Sequence, residues 1–441
     1  MPRPLLLFLT LVALFNLSRV LREPWPDADR PMDFRTCYMG QAVLRQGQNP
    51  YQDGVLKAGW QRIVAQEQLT SRTQPGLPNL PFMYPPWAAA LFGLSVGQLP
   101  YRWAWPLWYA LAVAGLLAAA RLWSLALRRK NDFTAVPWWQ LLIAALALKG
   151  TVPALLTGQP TFLALTLGVG ALVVGRVMGP LVIDSPTNVA GHESIIQPRT
   201  WGRPVLAGVL LGLAAFKVTL ILPFALWFLY RQQWLTLAVA TAVVVLLSVL
   251  ALHWAHFPQE LAPAYQQLIA QVRAQSFNPA DPDYPLTQGM TLRLELGNVL
   301  EWLWPGSSPG HGLLHAGLWL AAGLRVRGLR KAGILLSDGQ LFLVASTLTL
   351  LTTYHLYYDA VLLLPLLGHA MQLPRKHQLL LLLSLLPLLL PLNGVALALD
   401  NPRALHGLYF LPPIGLLGVL GVLLAKKNRL LPSPQPLRPS A

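Results

Sequence analysis

Long apolar runs recur along this chain, separated by short basic clusters and interrupted by two extended polar stretches. A run of roughly 20 apolar residues, coiled as a helix, crosses a hydrocarbon core about 30 Å thick. The pattern therefore predicts an all-α integral membrane protein, a multi-span helical bundle of about twelve spans. The first seven are Pro4–Leu21, Tyr84–Pro100, Trp103–Leu127, Val136–Leu156, Thr161–Met178, Pro204–Tyr230 and Leu235–His253. The remaining five are Gly312–Leu324, Gln340–Tyr354, Ala360–Met371, Gln378–Leu399 and Leu405–Ala425. No small-residue cleavage site follows the first run, so it is expected to stay as a span.

Local breakers refine this pattern. Pro85 and Pro86 sit where the second span opens, a position at which a missing N–H costs little. Gly158-Gln159-Pro160 predicts a tight break between spans four and five. Residues 22–83 form a large first loop and residues 256–310 a second, both expected on the extracytoplasmic face. Within the first loop, Gln41–Gln46 and Asp53–Leu69 could form short amphipathic helices. One membrane domain over 1–425 and a cytoplasmic tail over 426–441 complete the expected organisation.

Composition agrees with a lipid environment: 54% of residues are hydrophobic and 11% charged, where soluble domains carry about 25%. The net charge of +16 does not imply nucleic acid, because Lys and Arg lie in short clusters between apolar runs. With twelve spans, both termini are cytoplasmic, and Arg231, Arg325–Lys331, Arg375–Lys376 and Lys426–Arg429 lie inside, whereas Arg128–Lys130 violates the rule. A lone Cys37 excludes an intrachain disulfide and a thiolate metal cluster. No glycine-rich nucleotide loop and no paired Cys or His at metal spacing is present, so no cofactor or metal is expected. Asp281-Pro282-Asp283 is too sparse in oxygen ligands to suggest a cation site.

Of the 17 acidic residues, Glu23, Asp27, Asp29, Asp33, Asp53 and Glu67 fall in the first loop. Glu260, Asp281, Asp283, Glu295 and Glu301 fall in the second. A carboxylate there could take the proton from a sugar hydroxyl as it attacks an anomeric carbon, which is general-base catalysis. Asp33 is the preferred candidate, although spacing alone does not separate it from Asp27 or Asp29. His355, among Tyr354, Tyr357, Tyr358 and Asp359, could donate to a phosphate at headgroup level; the tyrosines also suit an interfacial aromatic belt. Lys217 lies near the middle of span six and Lys149 inside span four, and either could neutralise a lipid phosphate. Snorkelling is the plainer reading for Lys149.

The stretch DFRTCYMGQAVLRQGQNPY, Asp33 to Tyr51, resembles the first-loop motif of glycosyltransferase family 87: an Asp, an aromatic (Tyr38) and a Gly-x-x-Pro-Tyr ending. FMYPPWAAALFGLSVGQLP, the Gly158-Gln159 break, the segment around Lys217 and LLTTYHLYYDAVLLLPL resemble later family segments, in order. The resemblance covers about Asp33 to Pro365 but departs after Tyr51, where Gln61 to Gln74 is unusually polar, and at the Ile183–Arg203 loop. It implies a GT-C membrane fold and inverting, metal-independent transfer from a polyprenyl-phosphate sugar, typically mannose. The expected acceptor is a glycolipid or glycan, and the expected setting is the lipid bilayer of a bacterial plasma membrane. By resemblance, Asp33 is the base and His355 acts on the donor side, with Tyr38, Tyr51, Tyr84, Gln159, Lys217 and Tyr358 as substrate contacts. A polytopic transporter or lipid-linked glycan flippase explains the spans and buried lysines equally well, and a polymerase or ligase of lipid-linked glycans differs only in donor length.

Overall fold

Helix is the only regular element among the described residues, as the apolar pattern predicts. The computed structural model describes residues 3–22, 32–52, 54–69, 81–128, 136–176, 201–256, 258–275, 294–304, 310–353, 355–371, 373–390 and 411–425. Asp27, Asp29, the Asp281-Pro282-Asp283 triplet, Arg129, Lys130, Tyr354, most of the Ile183–Arg203 loop, residues 391–410 and the tail lie outside them.

The helices run in chain order as α1 (Arg3–Arg22), α2 (Met32–Arg45), α3 (Val55–Glu67), α4 (Pro86–Leu94), α5 (Tyr101–Arg128) and α6 (Trp138–Ala147). Next come α7 (Thr151–Leu156), α8 (Thr161–Gly175), α9 (Gly202–Ala214), α10 (Val218–Tyr230), α11 (Trp234–Trp254) and α12 (Pro258–Gln275). The last are α13 (Leu296–Leu303), α14 (His311–Lys331), α15 (Asp338–Thr352), α16 (Leu366–Ala370), α17 (Arg375–Leu389) and α18 (Leu411–Leu423). They fall into two compact units, each drawn from separated stretches of chain: Met1–Arg22, Asn131–Pro153 and Gln271–Ala441 in one, Glu23–Lys130 and Ala154–Ala270 in the other.

Among the described residues three segments are long and apolar enough to cross a membrane, Tyr101–Leu127, Gly202–Tyr230 and Trp234–Trp254, and all belong to the unit of Glu23–Lys130 and Ala154–Ala270. α11 leaves Val245, Leu246 and Val249 more than half exposed, a face that suits lipid rather than water. Its other face meets α9 through two glycines one turn apart. A Cβ on Gly208 would stand 2.6 Å from the Thr236 carbonyl, and one on Gly212 would stand 2.7 Å from that of Ala240. Small residues at this spacing let two backbones approach closely where no hydrophobic gain drives helices together in lipid.

Several expected spans take another form. In place of Tyr84–Pro100, α4 has nine residues and gives way to a 3-10 turn at Val96–Gln98. At 1.5 Å per residue it is roughly half a span long. Val136–Leu156 is split into α6 and α7 around Lys149-Gly150. Ala360–Met371 is a 3-10 segment, Tyr357–Leu363, followed by the five-residue α16. Lys217 is not inside a continuous helix: a 3-10 turn, Ala215–Lys217, separates α9 from α10, and Lys217 itself has φ −115° and ψ 73°. The indole of Trp87 donates to the Ala215 carbonyl at 3.0 Å, satisfying an acceptor that the break leaves over. The first-loop helices are α2, which begins at Met32, and α3, which keeps close to the expected bounds.

In the other unit, Asn16 of α1 donates to the Leu146 and Ala147 carbonyls at 3.1 Å and so closes the end of α6. α15 opens with a capping box between Ser337 and Gln340, and α17 lies against α18 where Gly415 faces the Ser384 carbonyl.

Candidate active site

Asp33 occupies the first turn of α2, where a carboxylate suits the helix dipole. Two main-chain donors of that turn, the Asp33 and Phe34 N–H groups, both reach the Thr157 carbonyl, at 2.9 and 3.1 Å. Thr157 is held in turn by the turn that follows α7. There Gly158, at φ +71°, donates to Leu155 O at 3.2 Å, while Gln159 N–H donates to Ala154 O at 2.8 Å. This pair of bonds is the Schellman arrangement, and its left-handed position favours glycine. The Trp108 indole then clamps the turn by donating to Gly158 O at 2.8 Å. The break expected from Gly158-Gln159-Pro160 thus also positions the candidate base.

The side chains of Thr157 and Gln159 act directly on the Asp33 carboxyl. Enclosure by protein raises its pKa, while those two side chains and the Lys217 charge pull it back down, burial being the largest effect. The residue nonetheless keeps some exposed surface. A carboxyl so placed titrates above its ordinary range. Lys217 donates to the Thr161 hydroxyl and is 9% exposed. Gln159 accepts from the Tyr84 hydroxyl at 3.4 Å. Cys37, one helical turn after Asp33, lies on the same face; burial first and the Asp33 charge second hold its thiol well above the usual range.

The Gly-x-x-Pro-Tyr ending has its own mechanical account. Gly47, at φ +71°, donates to Leu44 O, and Gln48 donates to Val43 O, both at 2.9 Å: α2 ends in a second Schellman turn. Asn49 Oδ1 accepts the Tyr51 N–H at 3.0 Å, and the Tyr51 hydroxyl donates to the Tyr84 carbonyl at 2.9 Å. Tyr51 therefore steadies the backbone beside the site, with its ring 5.6 Å from that of Phe82 and 5.2 Å from that of Tyr265. Tyr38 is directed elsewhere. Its hydroxyl donates to Leu99 O at 2.7 Å and its ring packs edge-on to Tyr101, so it joins the core. Five residues after Asp33, it leaves the face that Cys37 shares.

His355 and Tyr358 belong to the other unit. His355 is fully buried, its Nδ1 2.9 Å from Asp359 Oδ2 and its Nε2 without a hydrogen-bond partner among the described residues. A carboxylate on one ring nitrogen holds the ring's orientation, and the other nitrogen lies buried in the protein. Tyr358 is buried in the 3-10 segment, where its backbone would meet any Cβ on Gly150 at 2.5 Å. Among the described residues no group of three His, Cys, Asp or Glu could hold a metal.

The structure thus gathers Asp33, Tyr84, Gln159 and Lys217, with Tyr51 supporting them, and does not bring Tyr38 to that cluster. Sequence reasoning did not single out Thr157, Thr161 or Asp359. The threonines flank the predicted break, and Asp359 follows His355 by four residues, so position was the available signal.

No curated protein and no solved structure matches the chain. The model of glycosyltransferase family 87 matches residues 82–353, which include Tyr84, Gln159 and Lys217 and stop short of Asp33 on one side and His355 on the other. That match spans more than half of the 441 residues, and the chain belongs to glycosyltransferase family 87.

Proposed function

We propose that the protein is a membrane glycosyltransferase of GT-C type that moves mannose from a polyprenyl-phosphate donor to a glycolipid or glycan acceptor. The reaction is placed on the extracytoplasmic face of a bacterial plasma membrane, with both termini cytoplasmic. One observation carries the reading: a carboxyl, Asp33, with raised pKa is fixed by main-chain bonds and surrounded by Thr157, Gln159 and Lys217.

In the step we assign, the ionised Asp33 carboxylate accepts the proton of an acceptor hydroxyl. The oxygen attacks the anomeric carbon from the side opposite the phosphate. The carbon–oxygen bond to phosphate breaks, the polyprenyl phosphate leaves with the electron pair, and the anomeric configuration inverts. A phosphate leaves readily, so neither a metal nor a general acid is needed. Lys217, Gln159 and Tyr84 orient the acceptor and favour the ionised base. His355, aligned by Asp359, acts on the donor side.

The test is transfer from radiolabelled polyprenyl-phosphate mannose to endogenous acceptors in membranes carrying wild type or Asp33→Asn. Label reaching acceptor with wild type alone is the expected result. Equal transfer by the variant overturns the role of Asp33. No transfer by wild type from either the mannose or the arabinofuranose donor overturns the donor assignment.

A further inference from the structure

Gln159 uses both ends of its side-chain amide. One end bonds to the Asp33 carboxyl and favours its ionised form against the effect of burial. The other accepts the Tyr84 hydroxyl at 3.4 Å. A carboxylate only accepts hydrogen bonds, so the end facing Asp33 is the NH2 and the oxygen is left for Tyr84. The two ends of an amide have nearly the same shape, and packing alone does not choose between them. A half turn would set the amide oxygen against the carboxylate, which disfavours the ionised form. A donor held at the far end decides the orientation.

Tyr84 is held for that task. Its carbonyl accepts the Tyr51 hydroxyl at 2.9 Å, which ties it to the Gly-x-x-Pro-Tyr ending. Its ring stands 5.8 Å from that of Phe82 and 6.5 Å from that of Phe92. The hydroxyl has a second neighbour, the fully buried Cys37, whose sulfur shares a hydrogen bond with it. A hydroxyl rotates to suit its neighbours. Burial and the Asp33 charge keep the thiol protonated, so the thiol donates to the tyrosine oxygen and the tyrosine proton turns to Gln159. Among the described residues, Thr157, Gln159 and the charge of Lys217 act directly on the Asp33 carboxyl, and Tyr84 reaches it through Gln159.

We infer that Tyr84 is a positioning residue for Asp33: its hydroxyl, directed by the Cys37 thiol, fixes the Gln159 amide with the NH2 toward the carboxylate. Donors then run one way, from Cys37 to Tyr84 to Gln159 to Asp33. The circuit closes on α2, where Asp33 and Cys37 lie one turn apart and the ionised carboxylate keeps the thiol protonated. The inference rests on Asp33 being the base proposed above, and gives Tyr84 a task besides any contact with the acceptor.

The experiment titrates Asp33 itself. Purified full-length protein in nanodiscs is followed against pH by infrared difference spectroscopy, with the C=O stretch of the protonated Asp33 carboxyl assigned by its absence from Asp33→Asn. Gln159→Met removes a hydrogen bond to a charged group and should raise the titration midpoint by about 1 in pH. Tyr84→Phe leaves the amide free to turn and should raise it by about 0.5 to 1. In the Gln159→Met background, Tyr84→Phe should add nothing. Cys37→Ala should raise the midpoint more than Cys37→Ser, which keeps a donor, and this pair decides the matter if Tyr84→Phe does not fold. A midpoint unmoved by Tyr84→Phe, or raised equally with and without Gln159, overturns the inference. The titration needs no turnover. Midpoints that move as expected while wild type transfers no sugar leave the circuit standing and remove the enzyme assignment; unmoved midpoints in a protein that transfers sugar do the reverse.

Discussion

The amide of Asp33 donates to the carbonyl of Thr157 at 2.9 Å, tying the candidate base to the turn that carries Gln159. The bond is main chain to main chain. The base is therefore positioned by the fold of two short segments, before any side chain contributes.

Replacing Asp33 separates activity from stability. General-base removal costs about 10²–10⁴-fold in rate, so Asp33→Asn should lose essentially all transfer. Stability should move the other way. The folded-state pKa lies above the ordinary 3.8, so between the two values the folded protein holds more protons than the unfolded chain. Stability then falls as pH rises through that window, and at neutral pH the ionised carboxylate is a net cost. Asn carries no charge to bury. Thermal unfolding at neutral pH should occur at a higher temperature in Asp33→Asn, and the gain should vanish below pH 3.8.

On the proposed mechanism, Lys217 sets the acid side of the activity profile. Its charge favours the ionised form of Asp33, so removing it raises the pH at which the base becomes protonated. Lys217→Met should shift the acid limb of kcat to higher pH, while Lys217→Arg should shift it less. A pH–rate series in membranes measures this directly.

The Gly158 turn should be sensitive out of proportion to its size. A side chain in the left-handed conformation costs about 1–2 kcal/mol, and relaxing that strain would displace Thr157 and Gln159 together. Gly158→Ala should lower the unfolding temperature slightly and kcat much more. Equal kcat in the variant would show that the turn does not position the base.

Asp359 should matter through His355. Losing a hydrogen bond to a charged partner costs about 1.5–3 kcal/mol, or roughly 10–100-fold. Asp359→Asn should show that loss mainly in the KM for donor, with acceptor KM unchanged.

The α9–α11 contact is a stability element. Gly208→Leu or Gly212→Val places atoms where carbonyl oxygens already stand, and overpacking of this kind costs about 1–3 kcal/mol. Lower unfolding temperatures in detergent, with residual activity in whatever remains folded, are expected.

Helical class, α3 and the Gly158 break were legible because each has a local signature: apolar length, amphipathic spacing, and Gly followed by Pro. α2, expected only over Gln41–Gln46 as a surface helix, instead starts at Met32 and buries most of its residues. The break at Lys217 was not legible, since Ala-Phe-Lys in an apolar run has no breaker residue, and tertiary contacts such as the Trp87 indole on Ala215 decide it. Hydropathy also overstated α4, whose apolar residues are buried against α2 and α11 instead of crossing lipid. In the Asp33 cluster, Asp33 was singled out from the motif, whereas Thr157 was not. It acts through its carbonyl, which every residue possesses. Tyr38 shows the reverse: an aromatic in a motif that serves packing.

The turns closing α2 and α7 give Asp33 a property useful for redesign. Its position depends on two left-handed glycines and a peptide carbonyl, none of which recognises sugar. Exchanging Gln159 would alter the bond its side chain makes to the Asp33 carboxyl, while the main-chain bonds that hold Asp33 in place would stand. Placing the carboxyl and tuning its ionisation are separable targets in this scaffold.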